Sequence, residues 1–432
     1  METRATGTTT QGTWGDWLTP AAAWARALDA WRPPSLPIDE APLTAAPRRV
    51  LASSVVAPSD SPAFDRSAVD GYAVRAADVV EATSAAPVAL RFIGMVTMGA
   101  QATIVVGQGE AAWVATGAMM PEGADAMVMV ERTSRPEPGG PVLVGVAPRA
   151  GADIVRRGDD LREGMTVLPA GRRLSPRDIA ALASMGVAEV SVRARPHVAV
   201  ISGGDELVTP GVPLGPGQIY DSNSYALAAQ IEAWGGIPRL YPRVKDDEDA
   251  VLEALQEALR ESDIVLVSGG SSVGLKDLTS GAVTAAGGPG VVVHGVAMRP
   301  GRPTLLGVVD GVYVVGVPGN PVTAMIVCET FVRPAIETLL GVEALGEAGL
   351  PGGAVTYGTL DEPIGSLMGR QDYVRVRLDH AGDESAVSVV RPLPGGSNSI
   401  RSMVDADGLL VVPPDRDSLE KGERVAVHLF AS

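Results

Sequence analysis

Two short apolar runs, Val198-Ala199-Val200-Ile201 and Ile264-Val265-Leu266-Val267, constrain this chain more than any other feature. Neither alternates with polar residues. A strand that is apolar at every position has both faces buried, which is the condition of a parallel sheet with helices on each side. The segments around them read as those helices. Ser222 to Trp234 is helical and stopped by Gly235-Gly236, and Ala250 to Leu259 is amphipathic. Thr304-Leu305-Leu306-Gly307 and Val312-Tyr313-Val314-Val315-Gly316 bracket a short turn, and a long helix is expected from Asn320-Pro321 to about Leu340. Ligands of such a sheet sit at the carboxyl ends of its strands.

The flanking sequence has another character. Short runs such as Val88 to Ile93, Ala111 to Val114 and Ala126 to Val130 are separated by Gly and Pro, so residues 51–150 read as β-rich. After residue 346 the alternating Tyr373-Val374-Arg375-Val376-Arg377-Leu378 and the strand Leu409 to Val412, stopped by Pro413-Pro414, return to a β pattern. The expected fold is multidomain α/β plus β. It has a central α/β domain with a mostly parallel sheet (193–345), a β-rich inserted domain (51–150) and a small C-terminal β-barrel (346–432). Residues 21–50, with a helix over Ala21 to Trp31, and 151–192, with a helix opened by Ser175-Pro176, form a linker domain. Residues 1–20 read as a disordered lead.

Charge excludes several function classes. With 35 basic and 51 acidic residues the net charge is −16, which argues against a nucleic-acid partner. Cys328 is the one cysteine, so an internal disulfide, a cysteine-based zinc site and an iron–sulfur cluster are excluded; its apolar surroundings place it in the core. The four histidines have no ligand spacing. A metal, if used, is expected to be a hard cation on carboxylates, such as Mg²⁺. No apolar run approaches the ~18 residues of a membrane span, and the first residues have no signal-peptide core. A cytoplasmic protein is expected.

Chemistry is concentrated in loops. Ser202-Gly203-Gly204-Asp205-Glu206 and Ser268-Gly269-Gly270-Ser271-Ser272 each leave an apolar strand, and their glycines let backbone N–H groups approach an anion. Neither matches a P-loop or a dinucleotide fingerprint. Pro318-Gly319-Asn320-Pro321 enters a helix with Thr323 in its first turn, a second anion candidate, although a well-made helix start explains it equally. Arg299 and Arg302, in Arg299-Pro300-Gly301-Arg302-Pro303, put two guanidinium groups on a stiff turn. Asp205, Glu206, Asp246, Asp247, Glu248 and Asp277 all fall at one sheet edge, where they can hold a divalent cation; helix N-terminal preference accounts for 246–248 equally well. Asp70, in Ser67-Ala68-Val69-Asp70-Gly71-Tyr72-Ala73, and Thr116, in Thr116-Gly117-Ala118, lie in segments without strand or helix period.

Together with Pro121-Glu122-Gly123-Ala124-Asp125, Gly204-Asp205-Glu206-Leu207, Ile219-Tyr220-Asp221-Ser222-Asn223, Val273-Gly274 and Arg299-Pro300-Gly301, these segments resemble, in order, the motifs of the MoeA family. These are molybdopterin molybdenumtransferases, related to the E domain of gephyrin. The resemblance runs from about residue 35 to the C-terminus. It implies molybdenum insertion into adenylylated molybdopterin with release of AMP, assisted by Mg²⁺, in a homodimer of four-domain subunits. The 21–50 and 151–192 region would then serve dimerisation. The family's functional acids fall on Asp70, Glu206, Asp246 and Asp277, its threonine on Thr116, its prolines on Pro318 and Pro321, and a lysine on Arg299. Asp70 and Thr116 would reach a site completed by the partner subunit. Glu206, Asp246 and Asp277 would hold Mg²⁺ against the substrate's pyrophosphate. A second family lysine falls on Gly295, so one cation is missing unless Arg302 or His294 replaces it. The adenylyltransferase that makes the adenylylated pterin, and recipient molybdoenzymes, are the implied protein partners. The competing readings are an adenylyltransferase-like enzyme and a non-catalytic molybdopterin-binding scaffold.

Overall fold

The computed structural model describes residues 17–135, 137, 139–269, 273–342, 353–379 and 388–430, and only the backbone of 273–277. Most of the expected lead therefore lies outside the described residues, as do Gly270 and Ser271 and the side chain of Asp277. The chain divides into two compact units.

One unit comprises Glu40–Pro47 and Ser53–Val190. It is built on a six-stranded sheet in the order Ala126–Met129, Gly71–Val74, Glu110–Val114, Val88–Val96, Val142–Val144, Thr133–Ser134. Gly71 is required where the second of these strands meets the first, because a Cβ there would overlap the Val128 carbonyl. The helix Pro176–Ser184 starts as its sequence dictates. Ser175 and Asp178 form a capping box, and Asp178 also accepts from Arg172 Nε at 3.0 Å. Burial pushes the Asp178 carboxyl up, but the Arg172 and Ser175 hydrogen bonds and the Arg172 charge outweigh it and hold it at about 2.

The other unit comprises Met1–Asp39, Arg48–Ala52 and Ser191–Ser432. Its α/β sheet runs Ile237–Leu240, His197–Ser202, Ile264–Ser268, Val312–Val317, Leu305–Val309, Pro289–His294. The first four strands are parallel, Leu305–Val309 runs against them and Pro289–His294, antiparallel to it, runs with them, so the sheet is mostly parallel. The unbroken apolar runs have the expected cause. Val198, Val200, Ile264 and Leu266 pack into one core, while Ala199, Ile201, Val265 and Val267 pack into another on the opposite face.

The helix Pro20–Trp31 packs into the first of these cores, where the sequence reading put it in the linker domain with residues 151–192. Trp31 stacks on Tyr313 at 5.0 Å and Trp24 meets the same ring edge-on at 6.0 Å. The expected long helix after Asn320 is interrupted. Pro321–Val327 and Arg333–Leu340 are α-helical, and Cys328–Val332 between them is a π-turn. Pro334 has no N–H to continue the α ladder, and the wider turn absorbs the fault. Cys328 is buried, as expected.

The C-terminal strands close into a five-stranded barrel. Gln371–Asp379 pairs with Val389–Pro392, which pairs with Val355–Leu360, then Arg424–Leu429, then Gly408–Val412, which returns to Gln371–Asp379. Met298–Arg299 joins the barrel alongside Gln371–Asp372 and so ties it to the α/β sheet.

Candidate functional site

The carboxyl ends of three parallel strands are pinned together. Ser202, Ser268 and Val317 are in register, Gly203 N–H donates to Ser268 O at 2.8 Å and Gly269 N–H to Val317 O at 3.3 Å. Gly269 has φ +143° and a Cβ on it would lie 2.5 Å from Gly203 O, so the two Gly loops are the backbones' means of meeting. The turn Pro318-Gly319-Asn320-Pro321 crosses this edge with a cleft on each side.

The first cleft, about 560 Å³, is acidic. Glu206, Asp221 and Asp246 line it with Gly203, Ser268, Gly269, Gly319 and Pro321, and among the described residues no Lys or Arg does. The carboxyl of Asp246 is raised above its ordinary range by its partial burial and by the Asp205 and Glu206 charges. The acidic run 246–248 divides by role. Asp247 caps the helix Glu248–Glu261, accepting from Ala250 N–H at 3.0 Å, which leaves Asp246 to the cleft. Ser268 is buried, and its hydroxyl accepts from Asn223 Nδ2 at 3.0 Å. Asn223 also donates to Gly319 O at 2.9 Å, so it holds the turn to the strand ends. Ser202 does not line the cleft. It is 2% exposed and its hydroxyl is 2.7 Å from Ser224 Oγ, inside the fold. Gly204 keeps its φ of +145° beside the Glu206 carboxylate. Among the described residues no three or more His, Cys, Asp or Glu side chains converge closely enough to hold a metal by themselves.

The second cleft, about 790 Å³, is basic. Arg299, Arg302, Arg370 and Arg375 line it against one carboxylate, Asp372, with Pro318, Asn320 and Thr323 from the turn and helix. Arg370 grips Asp372 with two hydrogen bonds of 2.6 and 2.7 Å, so that charge is already matched. Arg299 is more exposed and stands 3.7 Å from the same carboxylate. Arg375 is half-buried. It donates to Gly395 O at 2.6 Å and to Ser402 Oγ at 2.6 Å, and among the described residues it makes no ion pair. Its Nε is buried without a hydrogen-bond partner, and burial pulls the guanidinium below its ordinary value. A cation left so is stabilised by an anion entering the cleft. Thr323 is 4% exposed and contributes little open hydroxyl.

Asp70 and Thr116 meet in the other unit. The Asp70 carboxylate accepts from Thr116 N–H at 2.7 Å, and both residues are exposed. Asp277 sits on the helix Val273–Ala286.

Sequence reasoning missed Arg370, Arg375 and Trp17. Arg375 lies in a cleanly alternating strand, where a polar residue reads as solvent-facing. Trp17 lies in the segment read as a disordered lead, yet it packs against Gly295.

Comparison with known proteins places the chain. Three family profiles match it: the "MoeA N-terminal region (domain I and II)" over residues 18–186, a "Probable molybdopterin binding domain" over 199–338 and the "MoeA C-terminal region (domain IV)" over 357–430. A Mycobacterium tuberculosis protein named molybdopterin molybdenumtransferase 2 is 36% identical over 392 residues, 89% of this chain and 93% of that one. A Bacillus subtilis molybdopterin molybdenumtransferase is 34% identical over 384 residues, 88% and 87% of the two chains. The crystal structure of a molybdopterin biosynthesis MoeA protein from Pyrococcus horikosii superposes with a TM-score of 0.80 at 34% identity, covering 96% of this chain and 100% of that one.

Proposed function

The chain belongs to the MoeA family, and on that premise we propose that it inserts molybdenum into adenylylated molybdopterin with release of AMP, the last step of molybdenum cofactor synthesis. The observation that carries this reading is the pair of oppositely charged clefts on either side of one turn. The substrates need both. Molybdate is an oxyanion and suits guanidinium forks. The phosphates of the adenylylated pterin suit an acidic cleft only through a cation.

Mg²⁺ fits the acidic cleft by donor chemistry. Hard carboxylate oxygens are present, and Mg²⁺ is ordinarily held by one or two carboxylates plus substrate phosphates rather than by an all-protein cage. The carboxyl of Asp246 is raised by its burial and by the neighbouring Asp205 and Glu206 charges, which a bound cation would offset. Glu206, Asp246 and Asp277 would hold the ion. Bound there, it would neutralise the pyrophosphate and polarise its P–O bond. The protein's own groups do the rest. Gly203, Gly269 and Gly319 give the phosphates room at the strand ends. Arg299, Arg302 and Arg375 orient the oxyanion, and Asn320, which lines both clefts, fixes the wall between them.

The reading includes a homodimer in the cytoplasm, in which Asp70 and Thr116 complete the partner's site, and the division into four domains. It makes the adenylyltransferase the supplier of the substrate and molybdoenzymes the recipients of the product. Among the described residues no helix is long and apolar enough to cross a membrane. The test is an insertion assay with purified protein, adenylylated molybdopterin, molybdate and Mg²⁺. Molybdate-dependent AMP release with reconstitution of a cofactor-free molybdoenzyme is expected. Tight pterin binding without AMP release would replace the enzyme by the scaffold.

A further inference from the structure

Gly295 and Trp17 occupy each other's space. Gly295 has φ +90°, and a Cβ built on it would overlap the six-membered ring of Trp17. The segment is tied down beside this contact, since Ala297 N–H donates to Leu18 O at 2.8 Å. The exposed face of the arrangement is a recess of about 230 Å³ lined by Trp17, His294, Gly295, Arg302 and Pro303. Arg302 and Pro303 line the basic cleft as well. The Arg302 guanidinium carbon is 5.6 Å from the indole centroid, within cation–π range.

We propose that Trp17 is a positioning residue for the basic cleft: its indole fills the place of a side chain at position 295 and holds the Arg302 guanidinium ready for the oxyanion. Arg302 is exposed on the Pro300–Pro303 turn. A guanidinium held over a ring by cation–π attraction makes no hydrogen bond to it, so the contact places the fork without consuming its donors. The absence of a Cβ at Gly295 follows from the same packing, because a larger residue there would expel the indole. The inference rests on the proposed oxyanion role of the cleft.

The experiment compares Trp17→Leu, Trp17→Phe, Arg302→Ala and the Trp17→Leu/Arg302→Ala double variant. Each is assayed for the molybdate concentration giving half-maximal AMP release, for kcat and for molybdopterin binding. Trp17→Leu keeps an apolar side chain but loses the aromatic face, and should raise half-saturating molybdate about 3- to 10-fold, with pterin binding unchanged. Trp17→Phe should stay within about 2-fold of the parent. In the Arg302→Ala background Trp17→Leu should have no further effect, as a shared pathway requires. Equal behaviour of the Leu and Phe variants, or full additivity with Arg302→Ala, would overturn the proposal. Calorimetric titration of the same proteins with molybdate alone supplies a readout independent of turnover. If the parent protein binds molybdate but releases no AMP, the insertase reading fails while the coupling between Trp17 and Arg302 is still measured.

Discussion

The two clefts share the turn Pro318-Gly319-Asn320-Pro321 as a wall, yet their charges are managed in opposite ways. The acidic cleft is made by backbone topology. Parallel strands bring their carboxyl ends to one edge, and loops that follow such strands deliver Glu206 and Asp246 there automatically. Its carboxylates crowd one another, with Asp205 and Glu206 acting on Asp246. The basic cleft is made by assembly of distant segments: the turn at 299–303, the barrel strand at 370–375 and the loop at 395–397. One of its guanidiniums is matched by Asp372, and Arg375 is not. Fold alone therefore makes the first cleft, while the second depends on side chains that the barrel brings in.

This contrast can be broken first at Arg375. Replacing it by Ala should lower kcat/KM for molybdate by about 10²-fold or more, since a charge-assisted contact is removed from a partly desolvated site. Steady-state kinetics with molybdate varied checks this. If only pterin binding suffers, the basic cleft is not the oxyanion site.

Asp246 sharpens the other side. Asp246→Asn should weaken Mg²⁺ activation by about 10-fold and leave half-saturating molybdate in place. Because the Asp246 carboxyl is raised, it takes up a proton more readily in the folded protein than in the unfolded chain. Mg²⁺ activation should then be lost on acidification at a higher pH than an unshifted aspartate would give. Without metal the sign for stability is the reverse. A raised acid costs stability once ionised, so the Asn variant should melt slightly higher than the parent in chelator. A lower melting temperature would mean that Asp246 is structurally paired.

Gly295→Ala tests the packing beside the basic cleft. It should destabilise by about 1–3 kcal/mol through its positive φ and the clash with Trp17. Combining it with Trp17→Ala should recover part of the loss, as read by thermal unfolding.

The smallest effect is expected in the other unit. Asp178→Asn should cost about 1–2 kcal/mol by removing a capping carboxylate. The lowered carboxyl stabilises above its unfolded value near 3.8, and that contribution is lost as pH falls through about 2. A variant with an unchanged melting temperature at neutral pH would show the cap to be dispensable.

What was legible in the sequence follows the same division. The α/β sheet was readable because burial on both faces leaves an unbroken apolar string, and Glu206 and Asp246 came with it. The C-terminal barrel was expected from the β pattern after residue 346, but its strand order was not readable, since alternation in Tyr373–Leu378 shows a half-buried strand and not its partners. Arg375 was hidden by that alternation. The inward turn of the Ser202 hydroxyl onto Ser224 leaves no sequence signal, since a serine beside glycines reads the same whether its hydroxyl faces the cleft or the core. Trp17 carried no periodic signal, and the π-turn at Cys328–Val332 arises from the demands of Pro334 rather than from any local motif.

The most direct test of a molecule with two separately built clefts is a crossed titration of Arg375→Ala and Asp246→Asn, following AMP release with molybdate and Mg²⁺ varied independently. The expected result is that Arg375→Ala shifts only the molybdate dependence and Asp246→Asn only the Mg²⁺ dependence. Equal shifts of both dependences in both variants would contradict it, and would mean that oxyanion and cation share a single site.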